Sequence, residues 1–175
     1  MAADAAEPVP FYTETSARVD GEVATHPTAT WNAPTGLSAV AVVHPTKSSL
    51  AKGTLKVVQK PDGSTLSLSV DGLVPGVHEV RVHSSGDCSD EWGESAGAPF
   101  AFNPVADNSR PGLLMTLEVG EDWRGRAEAD VSGLTLSGET SVVGRSLVIH
   151  LVQPDGAGTD AGPGAVMACG TIGVA

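Results

Sequence analysis

The sequence predicts an all-β sandwich or barrel, and three features of it do so. Short bursts of Val, Leu, Thr and Ser recur between turn residues. The 175-residue chain spreads 21 Gly and 12 Pro among those bursts. No segment reads as a convincing amphipathic helix. β-branched residues pack well on a pleated surface, while Gly and Pro interrupt helices and supply turns. Hydrophobic residues make up 41 %, enough for a real core in one domain of ordinary size.

Each element follows in order. Residues 1–36 are rich in Ala, Pro, Thr and acid and have little periodicity, so they read as an N-terminal extension, partly disordered or packed on the domain of residues 37–175. "LSAVAVVHP", from Leu37, is an apolar burst stopped by Pro45. "GTLKVVQKPDGSTLSLSVDGL" is the clearest hairpin. Thr54, Lys56 and Gln59 are its polar positions on one arm, Leu66, Leu68 and Val70 alternate on the other, and Pro61-Asp62-Gly63 is the turn. In "HEVRVH", Val80 and Val82 share one face and Arg81 and His83 the other. From Ser84 to about Pro111 strand signal is missing, and loops this long tend to be functional or mobile. Strands resume with "LLMTLEV", a turn at "GEDWRG", "RAEADV", "SVVGRSLVIHLV" and "VMACGTIGVA".

Charge and hydropathy exclude several functions. Net charge is −11, so the overall field opposes nucleic acid and anionic membranes. No apolar run approaches the roughly 18–20 residues of a membrane helix. "MAADAAEPVP" has neither the basic nor the apolar region of a signal peptide. The expectation is a mature exported chain with Met1 added as an initiator. Cys88 and Cys169 lack the paired spacing of a zinc ribbon or redox motif. They are either one disulfide or two buried thiols. A disulfide would close a loop of about 80 residues, worth roughly 4 kcal/mol by chain entropy, and would imply an oxidising compartment.

"GLVPGVHEVRVHSSGDC", "SAGAPFAFNP", "LSGETSVVGRS", "VVGRSLVIH" and "ACGTIGVA" together resemble, in family order, the motifs of the copper-zinc superoxide dismutases. The resemblance covers about Leu37 to Ala175. It implies an eight-stranded Greek-key β-barrel with copper and zinc held at one side by long loops. It also implies that Cys88 and Cys169 form the family's intrasubunit disulfide.

Fold does not carry chemistry, so the resemblance is followed residue by residue. The family's copper is held by four imidazoles, from an H-x-H strand, an H-F-N-P loop and a G-R-S-x-V-x-H strand. Here H-x-H reads Arg81-Val82-His83, and H-F-N-P reads Ala101-Phe102-Asn103-Pro104, after a short insertion at Pro99-Phe100. His83 and His150 remain as remnant copper ligands. The family's zinc motif H-x-G-D appears as Arg110-Pro111-Gly112-Leu113, with no histidine between Ala101 and Leu117. Asp107 is the one carboxylate of that shortened loop, and one carboxylate does not bind zinc. The substrate-guiding arginine position is Val166, and "LVQPDGAGTDAGPG" carries no lysine or arginine.

Two imidazoles leave most of a copper ion's coordination to water. A guanidinium stays charged and has no lone pair to offer a metal, so Arg81 opposes a cation beside His83. His83 and His150 are then expected to be bonded to each other or to backbone. Arg81 is expected to pair with a loop acid such as Asp87 or Glu94. His78 lies on the opposite face from His83 and is assigned a structural hydrogen bond. His44 sits at a strand end, and His26 belongs to the extension. Trp92 and Trp123 fall in a loop and at a turn, where exposed tryptophans can mark interfaces. Arg145 is expected to bind loop carbonyls.

The reading is therefore a secreted or periplasmic dismutase-like pseudoenzyme. It keeps fold and disulfide, lacks zinc, is expected to bind no cofactor, and serves a binding or structural role toward an unknown protein or small molecule. The alternatives are a divergent copper protein or weak dismutase that holds copper weakly at His83 and His150, and a new activity or anion site in the remodelled pocket. A homodimer is compatible with the family resemblance.

Overall fold

In the computed structural model, residues 36–103, 110–153 and 164–175 are described. They form eight strands: β1 (Ser38–Pro45), β2 (Lys52–Lys60), β3 (Gly63–Asp71), β4 (Gly76–His83), β5 (Leu113–Val119), β6 (Arg124–Ser132), β7 (Ser146–Leu151) and β8 (Val166–Val174). The hydrogen-bonded order is β5-β4-β7-β8-β1-β2-β3-β6, and all the pairings are antiparallel. The end strands β5 and β6 pack against each other, so the sheet nearly closes into a barrel. The connections from β3 to β4 and from β6 to β7 cross from one half of the barrel to the other, which is Greek-key connectivity. The extension assigned to residues 1–36 lies, except for Gly36, outside the described residues.

Alternation builds the core. Leu55 and Val57 of β2 face Leu66, Leu68 and Val70 of β3, and Val80, Val82, Leu147, Ile149 and Ile172 fill the opposite half. The hairpin turn is tighter than the sequence suggests. Gly63 is already in β3, opposite Lys60, and only Pro61 and Asp62 turn. A Cβ on Gly63 would lie 2.2 Å from the Val131 carbonyl oxygen, so the approach of β6 demands glycine there. Gln59 is polar yet buried; its Oε1 accepts from Leu136 N–H at 2.7 Å and ties β2 to the crossing connection.

Two boundaries differ from the periodic reading. β7 starts at Ser146, not Ser141, because Ser141–Arg145 is a turn: Arg145 N–H donates to Val142 O, and Gly144 takes φ 80°. β6 begins two residues earlier than "RAEADV", at Arg124. The long connection after β4 holds a single 3-10 turn, Glu94–Ala96, which is the one helical piece among the described residues.

β4 and β7 differ from the other strands in being buried on both faces. Their barrel-facing residues are apolar apart from His78, while the opposite face of β4 carries Glu79, Arg81 and His83, and that of β7 carries Val148 and His150. A β-strand with charges inside on one face is costly unless each charge is paired. That face is where the site lies.

Candidate functional site

His83 and His150 come together. They start on different rows of the β4–β7 ladder, His83 opposite Ser146 and His150 opposite Glu79. Their rings lie near-parallel with centroids 5.1 Å apart, and the two Nε2 atoms are 2.9 Å apart. Each ring is held from behind. His83 Nδ1–H donates to Gly97 O at 2.7 Å, and His150 Nδ1–H donates to Gly164 O at 2.9 Å. A carbonyl oxygen only accepts, so both Nδ1 atoms carry the proton and both Nε2 lone pairs point at the gap. The chain of contacts Gly97–His83–His150–Gly164 needs three N–H groups, and two neutral imidazoles have two. It is complete only with a proton or another cation between the Nε2 atoms.

Electrostatics disfavour that extra charge. Burial pushes the pKa of His150 down to about 4, helped by the charges of His83 and Arg81, against the raising effect of Gly164 O. His83 is also lowered, first by burial, with a smaller contribution from Arg81. In both rings burial is the first cause, and it favours the neutral form.

Arg81 points to the same face, but its charge is met. Glu79 Oε2 accepts from Arg81 Nε at 2.8 Å and from Nη2 at 2.6 Å, and Arg81 Nη1 donates to Pro111 O at 2.9 Å. The other carboxylate oxygen of Glu79 pairs with Arg110 Nη2. The partner of Arg81 is thus Glu79, two residues away on its own strand, and not the loop acids Asp87 or Glu94. In a strand, residues i and i+2 share a face, so the nearer acid wins. Asp87 is engaged locally instead, accepting from Ser89 N–H at 2.8 Å. Sequence reasoning missed Glu79; its alternation with Arg81 was the available signal. It also read Arg110 only as a replaced ligand position.

The other replaced positions carry no donor. Ala101 is exposed beside buried Phe102, and Leu113 opens β5 directly across from Arg81. Neither alanine nor leucine has a side-chain lone pair for a metal, and the guanidinium of Arg110 has none to offer, while Asp107 lies outside the described residues. Among the described residues, no group of three or more His, Cys, Asp or Glu could hold a metal ion. The two converging Nε2 lone pairs do fit a copper ion as a partial donor set, since imidazole suits copper. Val166, opposite His150 in register, packs with Cys88, Val148 and Cys169.

The remaining assignments follow the sequence. His78 is buried on the barrel-facing side, and its Nε2–H donates to Val74 O at 2.9 Å. His44 is exposed near the end of β1. Arg145 donates to Ser141 O and Ser84 O and stacks over the Phe100 ring. Trp92 and Trp123 are both partly exposed, and Lys47 covers the Trp92 ring. Cys88 and Cys169 form a disulfide, with Cα atoms 5.7 Å apart.

Comparison with known proteins agrees with this architecture. Residues 51–172 match the family described as copper/zinc superoxide dismutase (SODC). The chain is 33 % identical over 122 residues to "Superoxide dismutase [Cu-Zn]" of Deinococcus radiodurans, covering 59 % of this chain and 66 % of that protein. It is 34 % identical over 126 residues to "Extracellular superoxide dismutase [Cu-Zn]" of Brugia pahangi, covering 67 % and 61 %. It is 33 % identical over 140 residues to "Superoxide dismutase [Cu-Zn] 2" of Brassica juncea, covering 70 % and 90 %. The chain thus spans just under two thirds of the length of the first two of these relatives.

Proposed function

The chain belongs to the copper/zinc superoxide dismutase family, and from that premise we propose that it is an exported member that has exchanged metal ligation for an ionic cluster. In this reading it has no zinc, no complete copper site and no dismutase activity, and it acts as a binding or structural protein. The observation that carries the proposal is Arg81. It stands at a copper-ligand position with its guanidinium locked onto buried Glu79, and it has no lone pair for a metal. Ala101, Arg110 and Leu113 add nothing a metal can use. The disulfide and the likeness to an extracellular relative support export.

A second reading has its own observation. The two Nε2 lone pairs of His83 and His150 converge with one hydrogen short. Copper, when bound, would supply one-electron redox chemistry. His83 and His150 would hold it through Nε2 while Gly97 and Gly164 fix their tautomers, the carbonyl-bound arrangement that orients metal-ligating histidines elsewhere.

Metal stoichiometry separates the two. The full chain is offered copper and zinc, washed with a chelator of submicromolar affinity, and its bound metal and dismutase rate are measured. The first reading expects far less than one copper per chain, no zinc and a rate at the buffer background. One retained copper that is lost in His83→Ala and His150→Ala would establish the second reading instead.

A further inference from the structure

We propose that Glu79, Arg81 and Arg110 act as a metal-free clamp that fastens the connection preceding β5 onto the outer face of β4. This goes beyond the absence of ligands, and its metal-free part rests on that reading of the site.

The cluster joins two separate segments. Glu79 and Arg81 belong to β4; Arg110 and Pro111 end the long connection that began at Ser84. One carboxylate takes both arginines, a different oxygen for each, and Arg81 also holds the Pro111 carbonyl. Glu79 and Arg81 have side chains only 3 % and 6 % exposed, whereas Arg110 is 38 % exposed. The anchor is thus inside and the outer jaw faces solvent.

The clamp sits where the β4–β5 ladder is irregular. The register slips between Val80 and Arg81, so Met115 pairs with Val80 and Leu113 with Arg81. A bulge of this kind leaves a residue out of the ladder and loosens the strand end. Gly112 must also come close there: it takes φ 74°, its carbonyl accepts from Val82 N–H at 2.8 Å, and a Cβ would lie 2.4 Å from Val82 O. Two charged contacts, Glu79 with Arg110 and Arg81 with the Pro111 carbonyl, tie the connection to β4 beside the irregular ladder.

The physical signature is that of a buried Glu79–Arg81 pair with Arg110 at its solvent edge. Removing one partner strands charge in a low-dielectric place and costs much more than replacing the whole set by apolar residues. The experiment compares Glu79→Gln, Arg110→Gln and a triple Glu79→Met/Arg81→Met/Arg110→Met in the full chain, with and without exhaustive EDTA treatment. Thermal unfolding and amide hydrogen exchange are followed. Glu79→Gln keeps the shape and removes the charge, so it is expected to lower Tm by roughly 10 °C. It should also speed exchange at the amides of Val82 and Leu113 at least tenfold while leaving the β2–β3 hairpin unchanged. Arg110→Gln, at the solvent edge, should speed the same amides with a smaller Tm loss and remains informative if Glu79→Gln does not fold. The triple variant should be more stable than Glu79→Gln, and EDTA should leave the wild-type Tm in place. Wild-type Tm and exchange in Glu79→Gln would overturn the clamp. So would a triple variant less stable than Glu79→Gln, or an EDTA-induced Tm loss as large as that variant's.

Discussion

At the residue scale, the buried histidines make stability depend on pH. His78, His83 and His150 all have pKa values lowered by burial, His150 to about 4. Unfolded histidine takes its proton near pH 6.5, so between about 6.5 and 4 the unfolded chain binds protons that the folded chain refuses. Stability is therefore full above about pH 6.5 and falls as pH drops toward 4, where the folded His150 begins to accept a proton. His150 alone accounts for a few kcal/mol across that window. Urea midpoints measured at pH 7.5 and pH 5.0 are expected to fall markedly at the lower pH, and His78→Leu or His150→Leu should shrink the difference. A midpoint that is flat across this range would show that the rings are already charged when folded. That single proton is also what the Gly97–His83–His150–Gly164 chain lacks, so acid should tighten the ring pair locally while weakening the whole.

At the element scale, β4 carries most of the specificity. Its barrel side is ordinary core, Val80 and Val82; its other side holds Glu79, Arg81 and His83 under the long connection. Gly112 shows how tightly that connection is set down. Alanine there would meet the Val82 carbonyl oxygen at 2.4 Å and would have to hold φ 74°. Gly112→Ala is expected to cost on the order of 2 kcal/mol or more, read as a lower denaturant midpoint at unchanged m-value. Gly144→Ala, also at positive φ but with open space around its Cβ, should cost only the backbone penalty of roughly 1 kcal/mol. A Gly112→Ala variant no worse than Gly144→Ala would mean that the connection lifts away from β4 easily.

At the scale of the whole molecule, the disulfide joins the long connection to the C-terminal strand across 81 residues of chain. Closing a loop of that length is worth about 4 kcal/mol in the chain-entropy model. Reduction, or Cys88→Ala/Cys169→Ala, is expected to lower Tm by roughly 10 °C, and the unfolded, unreduced chain should show no free thiol. The bridge sits in a small apolar cluster with Ala96, Val148 and Val166. A position where the family resemblance implies a guiding arginine therefore serves packing here.

Alternation and turn residues alone determined the all-β class, most strand positions and the inward set, because side chains on a strand point by turns to opposite faces whatever their partners. The family resemblance implied which ligand positions differ and that the two cysteines pair. The shared strand face offered Glu79 as the acid for Arg81, but only the folded chain shows that this face is buried and that the loop acids Asp87 and Glu94 are not its partners. Nor could the sequence show that Arg110, some thirty residues away, reaches the same carboxylate. Gln59 and Gly63 were polar and turn residues in one dimension; the approach of Leu136 and Val131 made one a buried anchor and the other a steric necessity. Only the tertiary structure decided these, because burial and charge pairing depend on which segments meet, and meeting is a property of the barrel and not of the strand.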